Sequence, residues 1–167
     1  MTLAPAATFP SLFLPRVGGG TVHLGGAGPA IVFFFRVECA ACRHAAQAIA
    51  RIAEKLQPKG LAVVGVSQDD AGDAAAFAAV HGLGAIDLCT DGTSYFASNA
   101  VELARTPATF LVDQGKIVVA LEGWNRRDYN ALAAQAAALV GAEAPTASAR
   151  FDGLPDATEG SVGRNAG

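Results

Sequence analysis

Cys39 and Cys42 stand with only Ala40 and Ala41 between them, inside the run Ala30-Ile31-Val32-Phe33-Phe34-Phe35-Arg36-Val37-Glu38-Cys39-Ala40-Ala41-Cys42-Arg43-His44. Two thiols at this spacing are near enough to close a small disulfide ring, and the thiolate form of either is a nucleophile toward other disulfides. What positions them is a change of pattern. Ala30 to Phe35 is apolar without alternation, which predicts a strand covered on both faces. Beyond Cys42, the residues Ile49, Ile52, Ala53 and Leu56 fall at i, i+3, i+4 and i+7, the stripe of an amphipathic helix. The pair therefore lies where a strand hands over to a helix that begins at the first or second cysteine. Unpaired backbone N–H groups and the positive end of the helix dipole favour a thiolate there. Cys39 is expected at an exposed mouth, and Cys42 one turn deeper.

Other chemistries use the same spacing. A zinc site needs four ligands, and the chain adds only Cys89, His23, His44 and His81, scattered along its length, so no metal is expected. Attachment of a c-type haem needs a histidine directly after the second cysteine, but Arg43 stands there and His44 comes one place late. A pair that is structural or idle remains open on spacing alone. Cys89, near the end of a predicted strand, reads as a small buried hydrophobe.

The whole chain sets bounds. Its 167 residues suffice for one domain with a real core. A hydrophobic fraction of 51% suits a soluble α/β protein, and a net charge of −3 offers no basic footprint for nucleic acid. No apolar run approaches the length of a membrane span, because Arg36 and Glu38 directly follow the longest one. Met1 to Pro15 shows neither a basic start nor a continuous apolar segment, so no secretory signal is expected and the default compartment is the cytoplasm. In a reducing compartment a purely structural disulfide would not persist, which favours a catalytic pair.

Taken in order, residues 1–29 are an extension rich in proline and glycine, with a small hairpin expected on the edge of the sheet. The strand Ala30–Phe35 and a helix to about Gln57 are followed by the apolar strand Leu61–Val66, a βαβ unit with parallel strands. Ser67-Gln68-Asp69-Asp70 can cap a helix from Ala71 to His81, and a short strand, Ile86–Cys89, completes a second crossover. Thr93 to Asn99 reads as a short helix or turn. After Arg105-Thr106-Pro107, the strands Ala108–Val112 and Lys116–Glu122 flank a turn and form a β-hairpin. Asn125 can cap a last helix ending before Gly141. The compact domain thus spans 30–141, and the polar residues 142–167 read as a flexible C-terminal tail.

A C-x-x-C pair between the first strand and helix of a βαβ unit, then Thr106-Pro107 before a hairpin and a final helix, resembles the thioredoxin-like fold. That implies an α/β architecture with a central mixed sheet, parallel βαβ units plus a C-terminal hairpin, flanked by helices. The N-terminal hairpin, the inserted strand and helix, and the wording Phe34-Phe35-Arg36-Val37-Glu38-Cys39 with Val64-Gly65-Val66-Ser67-Gln68-Asp69-Asp70 are similar to the branch of peroxiredoxins and TlpA-like thiol–disulfide reductases. The resemblance implies that Cys39 is the attacking thiol, Cys42 the resolving thiol and Pro107 a cis proline facing them, with Arg105 and Thr106 lining the substrate groove. It also marks departures. Glu38 replaces the tryptophan usual before the first cysteine, placing a negative charge near the nucleophile against the cations Arg36 and Arg43. It is either a solvated loop carboxylate or a modulator of the site. Phe33 stands where thioredoxin has a buried carboxylate that relays protons, leaving that role unfilled or passed to Glu38. His44 is a further candidate for local positive charge.

The expected function is thiol–disulfide oxidoreduction without a bound cofactor, acting as a monomer on protein or small-molecule disulfides and drawing on an external thiol donor. Neither nucleic acid nor membrane is an expected partner. The alternatives are a thiol peroxidase of peroxiredoxin type and a redox-inactive thioredoxin-like binding module. The peroxidase motif P-x-x-x-[TS]-x-x-C meets Val32 and Arg36 here at its proline and hydroxyl places.

Overall fold

The computed structural model describes residues 2–166. An N-terminal hairpin of β1 (Leu12–Pro15) and β2 (Thr21–Leu24) precedes β3 (Ala30–Phe35), which leads into α1 (Ala40–Leu56). There follow β4 (Ala62–Ser67), α2 (Ala71–Val80), β5 (Asp87–Thr90) and the short α3 (Phe96–Ala100). The chain continues through β6 (Arg105–Thr106), β7 (Ala108–Asp113), β8 (Lys116–Glu122), β9 (Trp124–Asn125) and α4 (Arg126–Leu139), and ends with β10 (Ala157–Thr158) and β11 (Ser161–Val162). The central sheet has the order β5-β4-β3-β7-β8. In it β3, β4 and β5 are parallel, while β7 and β8 form the antiparallel hairpin, as the pattern of apolar runs predicts.

The middle strand explains the layers. Ile31, Phe33 and Phe35 point into a core shared with α1, α2 and α4, whereas Val32 and Phe34 point into a second core with Phe9, the N-terminal hairpin and Val101. All three phenylalanines are fully buried, each contributing roughly 1.5–3 kcal/mol relative to exposure. The hairpin covers a sheet face rather than only an edge. It also reaches the outer strand, where the Val17 N–H donates to the Leu88 carbonyl.

Helix starts follow their capping residues. Asp70 accepts from the Asp73 N–H at 2.8 Å ahead of α2, and Asn125 accepts from the Asp128 N–H at 3.1 Å ahead of α4. Between β7 and β8 the turn residues Gln114 and Gly115 both have positive φ, the requirement of a tight two-residue hairpin loop.

The C-terminal segment corrects an expectation. Residues 142–167 read as a flexible tail because they carry few apolar anchors, but most of the described part packs back onto the domain through polar contacts. Arg126, only 8% exposed, gathers the chain with all three guanidinium nitrogens. Its Nε donates to Ser148 Oγ at 3.1 Å, its Nη2 to Asp152 Oδ1 at 3.0 Å and to the Leu154 carbonyl at 2.7 Å, and its Nη1 pairs with Asp156. Asn130 clasps the backbone of Ala147 and Ser148 on both its donor and acceptor sides. Beyond this anchor, β10 pairs with β9 and β11 pairs with β6.

Arg126→Ala should therefore cost about 1.5–3 kcal/mol, because it removes one of the two cations beside Asp152, whose side chain is only 8% exposed and which keeps Arg51, Ser148 and the Leu154 N–H. Calorimetric melts of the variant would check it. Although partial burial alone would raise the Asp152 pKa, hydrogen bonds from Ser148 and the Leu154 N–H and the adjacent Arg126 hold it down to about 2. The stabilisation from ionised Asp152 is thus fully present above the ordinary carboxylate value and disappears as pH falls through about 2. The stability gap between the native chain and Asp152→Asn should narrow by roughly half between pH 6 and pH 3.

Candidate active site

Helix α1 begins at Ala40 with Cys39 as its N-cap residue. The extended backbone of Cys39 (φ −155°, ψ 110°) turns the chain from the strand end into the helix, and its sulfur accepts the Cys42 N–H at 3.1 Å. A thiolate at Cys39 would sit on that same amide at the positive end of the helix. The two cysteines form a disulfide, with their Cα atoms 5.1 Å apart and Cys42 fully buried.

A second element meets the pair from the other side. The Thr106 carbonyl oxygen lies 3.4 Å from Cys39 Sγ, with the Thr106 hydroxyl 3.9 Å away. The Thr106–Pro107 peptide bond is cis, and both residues are buried. Strand β6, which runs into this bond, brings Arg105 to the same rim. Arg105 donates to the Gly160 carbonyl at 3.0 Å and faces the exposed Glu159.

The model of the AhpC/TSA family matches residues 5–121, more than half of the sequence. The chain belongs to the AhpC/TSA family. No curated protein matches it in sequence. Among solved structures, a putative thiol:disulfide interchange protein DsbE from Chlorobium tepidum is 26% identical, with a TM-score of 0.73 over 83% of this chain and 99% of its own. The peroxidoxin BcpB from Mycobacterium tuberculosis shares the fold at 20% identity and a TM-score of 0.66, covering 83% of this chain and 97% of its own. A hypothetical protein, SMc02350, from Sinorhizobium meliloti 1021 matches at 21% identity and a TM-score of 0.71, across 97% of this chain and 94% of its own. With a C-x-x-C disulfide at the N-terminus of α1 in a thioredoxin-like frame, this AhpC/TSA protein is a thiol–disulfide oxidoreductase.

The structure brings Cys39, Cys42, Thr106 and Pro107 together, with Arg105 at the rim. Cys39 departs from expectation in its exposure. At 2% it is not at an open mouth: its sulfur meets Thr106, and the C-terminal segment pairs with Thr106 in turn. Arg36 is half-buried and donates from Nη1 to the Val162 carbonyl at 2.9 Å. Glu38 and Arg43 are exposed, and Glu38 has no hydrogen-bond or ion-pair partner among the described residues, which accords with a solvated loop carboxylate. His44 adds no positive charge at neutral pH, since partial burial and then the neighbouring Arg43 cation lower its pKa.

Two further residues, Asp69 and Gln68, act beside the site and not as helix caps. Asp69 accepts the Val37 N–H at 2.7 Å, securing the loop two residues before Cys39, and it also pairs with Arg164 at 2.7 Å. Buried Gln68 donates to Ser98 Oγ and Asn165 Oδ1 and accepts the Arg164 N–H. The only sign in the sequence is the cluster of polar side chains directly after an apolar strand.

No group of three or more His, Cys, Asp and Glu comes together among the described residues in the way a metal site requires. A cleft of about 660 Å³, lined by Arg51, Lys55, Lys59 and residues 141–146, lies at the far end of α1 and takes no part in the cysteine chemistry. Cys89 is fully buried, and burial followed by the nearby Asp87 pushes its thiol up to about 12. It stays protonated at pH 8, and thiols react as thiolates. Iodoacetamide treatment of the reduced protein at that pH should leave Cys89 unmodified until urea is added, as read by peptide mass spectrometry.

Proposed function

We propose that this protein reduces or exchanges disulfides in polypeptide clients, with Cys39 as the attacking thiol, Cys42 as the resolving thiol and the Thr106–Pro107 edge as the place where the client chain lies. The observation that carries this reading is the double position of Cys39 Sγ. It sits on an amide of the α1 N-terminus, and it lies 3.4 Å from the backbone oxygen of Thr106 on the adjoining strand edge. The first feature favours the thiolate. The second places backbone hydrogen-bonding groups alongside the reacting sulfur, where an extended chain is held by strand addition.

The chemistry proceeds by thiol–disulfide exchange. The Cys39 thiolate attacks one sulfur of the client disulfide, forming a mixed disulfide and expelling the other client sulfur as a thiolate, which takes up a proton. Cys42 loses its proton to solvent and attacks Cys39 Sγ, breaking the mixed disulfide and releasing the second client thiolate. Two electrons have passed to the client, and the protein holds the Cys39–Cys42 disulfide. An external thiol donor restores the dithiol by the same steps in reverse. Small-molecule disulfides are substrates for the same exchange.

Peroxide is the second reading, favoured by the family and by the fold shared with the peroxidoxin BcpB. Peroxide reduction by this fold calls for a hydroxyl three residues before the nucleophile, and Arg36 stands there, turned to the Val162 carbonyl. With dithiothreitol as donor, the protein should therefore reduce insulin disulfides faster than it consumes hydrogen peroxide. The reverse ranking would make it a peroxidase.

The division of roles has its own test. Cys42→Ser removes the release step and leaves attack intact, so non-reducing gels should show mixed disulfides with added insulin at a level at least about tenfold above that of Cys39→Ser. Equal trapping by the two variants would dissolve the assigned order of the thiols.

A further inference from the structure

The segment Ala157–Ala166 occupies the edge that a client has to use. Ser161 pairs with Thr106 and Val162 with Arg105 in antiparallel register, and the Gly163 N–H donates to the Ala104 carbonyl at 3.0 Å. Arg36 and Arg105 donate to the carbonyls of Val162 and Gly160. The end is pinned where Arg164 meets Asp69 and Gln68, and where Asn165 bonds to the Leu103 carbonyl. The fit depends on residues without side chains. A Cβ on Gly160 would meet the Thr106 backbone oxygen at 2.7 Å, whereas one on Gly163 would crowd only side-chain ends, Asn165 Oδ1 and a Leu103 methyl, each at 2.5 Å.

We propose that residues 157–166 are a built-in occupant of the client edge, and that a disulfide-bearing polypeptide reaches Cys39 by displacing them and laying its own extended segment along Ala104–Thr106. The proposal rests on the thiol–disulfide reading of the site. Three observations support it besides the pairing itself. Cys39 is 2% exposed, too little for attack on a folded or even an extended client. The occupant is held by backbone pairing and polar groups, with Val162 half-exposed, so it lacks the apolar burial that makes a segment hard to release. Arg36 Nε and Arg164 Nε, on two of the guanidinium groups that hold the segment, are buried and make no hydrogen bond among the described residues. The anchor at Arg126 and Asn130 lies before Ala157, so the strap opens while residues 147–156 stay in place. Because a client binds only the open fraction, its apparent affinity is lowered by that fraction.

The test uses the full chain and the variants Gly160→Val and Gly163→Val, all in the reduced state. Three quantities are read: hydrogen exchange across 157–166, the rate at which iodoacetamide modifies Cys39, and kcat/KM for insulin disulfides. In the native chain Cys39 should be alkylated at least about tenfold more slowly, per thiolate, than in the same chain unfolded in urea, since only the open fraction reacts. Either variant should speed exchange in the strap and raise both Cys39 alkylation and insulin kcat/KM by about tenfold. In the mixed disulfide of Cys42→Ser with insulin, the strap should exchange as fast as in Gly160→Val. Equal alkylation of native and unfolded chains per thiolate would overturn the proposal without recourse to any variant. Faster exchange with unchanged alkylation and unchanged kcat/KM would overturn it as well. Faster alkylation with no insulin reduction by any form would sink the oxidoreductase reading and the client's part with it, leaving the cover over Cys39 established.

Discussion

Strand β3 has no face turned to water, and the rest of the molecule is arranged to meet that demand. Five of its six residues are buried, with side chains alternating between two cores. A strand of this kind cannot exist until layers are placed on both sides of it. The helices α1, α2 and α4 supply one layer, and the N-terminal hairpin with α3 supplies the other. The redox pair inherits its position from this constraint. The chain leaving the end of the most buried strand enters a helix whose alanines, Ala41, Ala45, Ala46 and Ala48, let it approach closely. Cys39 thus caps a helix that the core holds still.

The site itself is built from backbone more than from charge. The sulfur of Cys39 meets one amide and one carbonyl, whereas the ionisable side chains nearby are engaged elsewhere or solvated. Arg36 is committed to Val162, His44 is neutral at neutral pH, and Glu38 stands in solvent. Helix-end amides are fixed partial charges that need no counter-ion and cannot titrate. The alanines between the cysteines and the loss of the usual buried carboxylate, replaced by Phe33, are consistent with a site that relies on such groups.

Two kinds of cohesion hold the chain together, and they differ in what they permit. The domain core is apolar and close-packed, so it opens only with the whole fold. The C-terminal segment is held by Arg126, Asn130, Trp124 Nε1 and two short strand pairings, each a directional contact that exchanges readily for one with water. Within that segment the portion before Ala157 is fixed by a nearly buried ion pair, whereas the portion that pairs with Thr106 rests on the two-residue strand β6, with Val162 half-exposed. Such a gradient of cohesion gives one segment a fixed root and a releasable tip.

The apolar runs at Ala30–Phe35, Leu61–Val66 and Ala108–Val112, the helical stripe after Cys42 and the polar caps in Ser67-Gln68-Asp69-Asp70 and at Asn125 predict the parallel strands, the terminal hairpin and the strand-to-helix seat of the cysteines. Local periodicity and capping chemistry are written in neighbouring residues, so they are legible without the fold. The pairings β6–β11 and β9–β10, the burial of Cys39 and the second duty of Asp69 are not. Each joins residues about 30 to more than 90 positions apart through backbone groups that every residue carries, or through single polar side chains with no period. Ser, Gly, Asp and Asn in 147–166 spell a loop by composition, and only the folded domain supplies Arg126, Gln68 and the open edge at Thr106 that make them adhere. Hydrophobic patterning predicts what must leave water; only tertiary structure decides which polar groups find each other once it has left.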